Sequence, residues 1–152
     1  MFELIKKFIN DFDEAEEPKE YIHSRKQLAE AALMFHVIAV DGVVKPVERE
    51  HMVKVLSKHF ELSDAETASL AKDAEIAEHE SIDLYKFTSL LKQNLDEEER
   101  LDMVENLWEM VYADGHKHEL EDNALWRISE LIGVDTRSRT LLKKLVKTRQ
   151  NM

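Results

Sequence analysis

Apolar residues recur three and four positions apart through most of this chain, and no stretch alternates in the two-residue rhythm of a strand. Phe2, Ile5, Phe8, Ile9 and Phe12 predict a short amphipathic helix over residues 1–12. The acidic, proline-ended run 13–19 predicts a linker. A long helix is expected from Tyr21 to Val40, with Leu28, Ala31, Ala32, Phe35, Val37 and Ile38 on its apolar face. Pro46, whose missing N–H is harmless in a first turn, opens the next helix, with Val47, Met52, Val55, Leu56 and Phe60 expected inward. Ser63 with Glu66, and Asp96 with Glu99, have the spacing of reciprocal helix caps. They precede the apolar sets Leu70 and Ile76, and Leu101, Val104, Leu107, Trp108, Val111 and Tyr112. Between them Ile82, Leu84, Phe87, Leu90 and Leu91 predict a helix over about 82–94. Leu120, Leu125, Ile128, Leu131 and Ile132 form another, stopped by Gly133, and a last helix starts near Asp135 or Thr136. The fold class is therefore all-α: a single compact domain of seven to eight helices over 20–152.

The pattern also repeats. A shift of 73 residues lays Leu28 on Leu101, Phe35 on Trp108, Ile38 on Val111, Met52 on Leu125 and Val55 on Ile128. The same shift lays Asp41-Gly42 on Asp114-Gly115 and Glu48 on Glu121, while Val43 meets His116 and Arg49 meets Asp122. Repeat units of about 25–62 and 98–134 imply a duplicated helix–loop–helix with a pseudo-twofold arrangement.

Composition narrows the functional classes. The 152 residues carry a formal net charge of −11, which argues against a nucleic-acid partner. Without cysteine there is no thiolate metal site, disulfide or cysteine nucleophile. No apolar run reaches membrane-span length and the start lacks the pattern of a signal peptide, so the expected location is cytoplasmic.

The chemistry most worth weighing lies at the two repeated corners. Taken singly, each residue has a structural account: the glycine ends a helix, the aspartate suits a turn, and the glutamate faces the positive end of its helix. Taken together, Asp41, Glu48, Asp114 and Glu121 are oxygen donors that suit a hard cation. The spacing matches the second half of an EF-hand loop, but Val37 and Ala39, or Met110 and Tyr112, stand where its first carboxylates belong. A metal would therefore need ligands pooled from both corners, from the backbone or from water. His116 and His118 add weaker imidazole candidates suited to zinc or nickel. Glu20/His23 and Glu48/His51 have the Glu-x-x-His spacing of di-iron bundles, but Ala124 replaces the histidine in the second copy.

The segments AVDGVVKPVE and LWEMVYADGHKHELEDNALWRISELIGV resemble the TerB-like family of tellurite-resistance proteins, related to the N-terminal part of certain DnaJ-type co-chaperones. The resemblance spans roughly 25–148. It implies an all-helical domain with internal pseudo-symmetry, linked to stress response and to membrane-associated or multi-protein assemblies. It also implies a proposed metal-binding role for Asp41, Glu48, Asp114 and Glu121. Val40 replaces the alanine usual in the motif, and the His-Lys-His run is unusual for it.

From Thr136 onward the chain is basic, with Leu141, Leu142, Leu145 and Val146 forming an apolar stripe. Arg137, Arg139, Lys143, Lys144 and Lys147 are candidate contacts for a partner, while packing of the stripe on the core is the alternative. Trp108 and Trp126 are expected in or near the core. No phosphate-binding glycine loop, nucleophile elbow or zinc-protease helix is present. The reading is a non-catalytic binding or scaffold domain with protein partners, membrane-associated ones included. It would take a divalent cation (calcium, magnesium, manganese or zinc) and no organic cofactor. A metal-free interaction module is the alternative, with a metalloenzyme a distant third.

Overall fold

The structure, a computed structural model, describes residues 24–40, 42–80, 84–112 and 119–150. The expected helix over 1–12 and the linker at 13–19 lie outside them, as do Asp41, Ile82, Asp114, Gly115, His116 and His118. Every regular element among the described residues is an α-helix. They are α1 (Arg25–Ala39), α2 (Pro46–Phe60), α3 (Asp64–Glu80), α4 (Tyr85–Asn94), α5 (Glu97–Tyr112), α6 (Glu119–Ile132) and α7 (Thr136–Gln150).

The helix starts follow from local hydrogen bonding. Ser24 caps α1: its hydroxyl accepts from the Gln27 N–H at 3.0 Å, and the Gln27 side chain accepts from the Ser24 N–H at 3.2 Å. This exchange starts α1 at Arg25, later than the apolar pattern alone suggests. The Ser63–Glu66 and Asp96–Glu99 boxes form in both directions, with bonds of 2.8–3.2 Å. Asp135 accepts from the Ser138 N–H at 2.7 Å and so sets the start of α7.

Packing places α1 at the centre. Leu28, Ala29, Ala31, Ala32, Leu33, Met34, Phe35, Val37 and Ile38 are all buried, so nearly its whole circumference is covered. It contacts α2, α3, α4, α5 and α6, most extensively α3. Alanines at 29, 31 and 32 on α1, and at 74 and 77 on α3, are all fully buried. The second hub is α5, whose Met103, Val104, Leu107, Trp108, Met110 and Val111 are buried and whose main partner is α7.

Three apolar residues depart from expectation. Val47 is 41% exposed because the first turn of α2 stands clear of the core, together with its exposed neighbours Val43, Lys45 and Pro46. Trp126 is 44% exposed, its ring lying under the Arg139 guanidinium rather than in the core. Leu131, expected on the apolar face of α6, is also exposed. Trp108 is buried as expected and stacks on Tyr112 with ring centroids 5.6 Å apart.

Candidate metal site and basic face

At the first corner α1 runs into Gly42, whose φ of +88° is the left-handed conformation that glycine adopts without a side-chain clash. Its N–H donates to the Ala39 carbonyl at 3.0 Å. Three residues on, Lys45 caps α2, and its N–H donates to the Glu48 carboxylate at 3.2 Å. Glu48 therefore serves its own helix: a half-buried carboxylate takes up a backbone donor at the positive end of α2. Asp41 lies outside the described residues.

At the second corner Glu121 lies in the first turn of α6 and is only 3% exposed. A carboxylate so far from water needs donors or positive charge around it. Asp114, His116 and His118 belong to the undescribed stretch just before this helix. Among the described residues no group of three or more acidic or imidazole side chains converges as a metal cage would.

The two helices differ at their far ends. Starts at Pro46 and Glu119 keep the 73-residue spacing, but α2 has 15 residues and α6 has 14. At the far ends the corresponding features are Glu61 and Gly133, both left-handed, with φ of 53° and 90°. The hydrogen bonds that close the helices correspond in the same way: Leu62 N–H to Ser57 at 3.1 Å, and Val134 N–H to Ser129 at 2.8 Å. Along the helices the 73-residue spacing holds, since Met52 and Leu56 are buried as Leu125 and Ser129 are, so the missing residue falls in the last turn. The two carboxylates that the sequence pairs thus share a place in their helices and differ in burial, Glu48 being half-buried and Glu121 buried.

A family model for the tellurite resistance protein TerB matches residues 27–144, from the start of α1 into α7. The chain belongs to the TerB family. No curated protein and no solved structure matches it.

Two arrangements in this TerB domain have no signal in its motifs. In the first half, Arg49 of α2 forms a two-pronged ion pair with Glu75 of α3, at 2.9 and 3.0 Å. Its guanidinium lies 5.6 Å from the Phe35 ring centre. The hydrogen bond from Arg49 is the main reason the Glu75 carboxyl is held below the ordinary carboxylate range. Beside this pair Phe35, Met52, Val53, Ala68 and Ala71 line a groove of about 310 Å³ between α2 and α3, rimmed by Arg49, Lys72 and Glu75. In the second half Lys143 of α7 pairs with Asp122 of α6 at 3.2 Å, its ammonium 5.2 Å from the Trp108 ring centre. Both halves cap a buried aromatic with a cation, and the cation comes from opposite helices.

The second arrangement is buried. Glu30 is 3% exposed on α1 and lies 3.4 Å from His59 at the end of α2. The hydrogen bond to Glu30 is the largest influence on His59; with the Glu30 and Asp102 charges it outweighs burial and raises the imidazole pKa. The only hint in the sequence was an acid inside the apolar run of α1.

The five basic residues singled out on α7 divide in the TerB fold. Lys143 is occupied as described, and Arg139 lies 5.4 Å from the Trp126 ring centre. Arg137, Lys144 and Lys147 are exposed and have no ion-pair partner among the described residues. The apolar stripe divides as well: Val146 is buried and Leu142 half-buried, whereas Leu141 and Leu145 are 56% and 49% exposed. No described helix is long and apolar enough to cross a membrane.

Proposed function

We propose that this TerB domain is a non-catalytic binding or scaffold domain of stress-linked protein assemblies that takes a divalent cation at its acidic corners. The duplicated Asp-Gly…Glu pattern is the observation that supports the cation most directly. Glu121 lies in the first turn of α6, in the segment that also supplies Asp114, His116 and His118. Glu121 and Asp114 would be the principal ligands, Asp41 and the two histidines accessory ones. Glu48 accepts from the Lys45 N–H, and Glu121 also has a partner within the fold. The oxygen-rich set suits calcium, magnesium or manganese, and the imidazoles extend it to zinc.

That same bond of Glu48 favours a second reading, in which both corners are helix junctions and the domain is a metal-free interaction module. Thermal melting of metal-stripped protein separates the two. A cation at one hundred times its dissociation constant stabilises by about 2.7 kcal/mol. The cation reading expects a clear rise in melting temperature with at least one ion, lost in Asp41→Asn/Asp114→Asn. Equal melting with every ion leaves the metal-free module.

A further inference from the structure

Helices α3 and α7 take the third place in each half, and their charges are opposite. Outside the core α3 carries five acids (Asp64, Glu66, Glu75, Glu78 and Glu80) against Lys72, with Glu75 paired to Arg49 at the groove rim. α7 carries six basic residues and no acid. Their apolar features are opposite too. On α7 Leu141 and Leu145 stand out from the surface one turn apart, beside exposed Arg137 and Lys144. On α3 Ala68 and Ala71 leave a hollow floored by Phe35, Met52 and Val53. At about 310 Å³ the hollow is at the bottom of the range for small-molecule sites, which suits a pair of side chains better than a cofactor. α3 packs on α1 and α2, and α7 on α5 and α6, so the two are not a packed pair within one chain.

We propose that Leu141 and Leu145 of one copy dock into the α2–α3 groove of a second copy, with basic α7 lying along acidic α3. Charge selects this head-to-tail contact over α7 against α7, which would bring like charges together. A head-to-tail contact leaves one groove and one leucine pair open at the ends, so association continues beyond a dimer. Two leucines make a small apolar centre, which places the contact among weak, transient ones.

Sedimentation of the full chain tests this with two surface variants, Leu141→Glu/Leu145→Glu and Ala68→Trp, each at exposed positions. The wild type is expected to sediment faster as concentration rises toward about 1 mM, and association is expected to weaken roughly tenfold in high salt. Each variant alone is expected to be monomeric. Mixed in equal amounts, they are expected to form a one-to-one dimer that grows no further, because one supplies the groove and the other the leucines. That dimer also shows that both variants are folded. A monomeric wild type, including one that co-sediments only with anionic-lipid vesicles, overturns the proposal. So does a mixture that stays monomeric, or association lost in the leucine variant yet unchanged in Ala68→Trp.

Discussion

The α1–α3 half and the α5–α7 half solve the same packing problem with opposite charges. Each buries an aromatic ring, Phe35 or Trp108, under a cation that is ion-paired across the second and third helices. In the first half the cation is Arg49 on the second helix and its acid lies on the third. In the second half the cation is Lys143 on the third helix and its acid lies on the second. The apolar positions are held in common, and the charged positions around them differ. A packed ring tolerates few replacements, whereas an exposed pair contributes little and its polarity is free to change. The halves differ again deeper in: Glu30 and His59 have Met103 and Ile132, both fully buried, 73 positions later. The buried acid–imidazole pair is therefore a property of the first half.

The largest test of the comparison removes the rings. Phe35→Ala and Trp108→Ala should each destabilise by about 3–5 kcal/mol in urea unfolding. A loss below 1 kcal/mol for either, on the order of a surface change, would show that the two rings are not counterparts.

Next in size is the buried pair. His59→Ala leaves the buried Glu30 carboxylate without its hydrogen-bonding imidazole, an expected loss of about 1–3 kcal/mol near pH 6. Because His59 has a raised pKa in the folded state, its contribution is complete below the unfolded value of about 6.5. It fades as pH rises through the higher folded value. Unfolding measured from about pH 6 to pH 8 should show the wild type losing this increment and His59→Ala losing much less. Equal slopes would remove the titration of this pair.

The smallest test concerns the helix ends. Glu61 holds a left-handed conformation that Gly133 holds in the other half. Glu61→Gly should stabilise by up to about 1 kcal/mol. Gly133→Ala should destabilise by at least about 1 kcal/mol, since a Cβ there would also stand 3.3 Å from the Arg100 guanidinium. Effects of the reverse sign would mean that the two ends are not built alike.

How far these features were legible depends on how local their causes are. The caps at Ser63 and Asp96, the proline start of α2 and the stop at Gly133 each rest on residues within one turn, and the sequence states them outright. The all-helical class follows from the three-to-four spacing. Trp126 was misplaced because its exposure depends on Arg139, thirteen positions away on another helix. The Arg49–Glu75 pair, the groove beside it and Glu30–His59 likewise join residues distant in sequence. Glu48 and Glu121 have identical spacing from the aspartates, and both stand third in their helices. Their difference in burial depends on what packs over each helix start, which no composition or motif registers.

The central claim is that a cation belongs to the second corner far more than to the first. Titration calorimetry on metal-stripped wild type, Glu121→Gln and Glu48→Gln tests it most directly, with calcium, magnesium, manganese and zinc in turn. The expected result is a saturable site in the wild type, weakened at least about tenfold in Glu121→Gln, a loss of about 1.4 kcal/mol, and nearly unchanged in Glu48→Gln. Binding that survives Glu121→Gln unaltered, or no heat with any of the four ions, contradicts it.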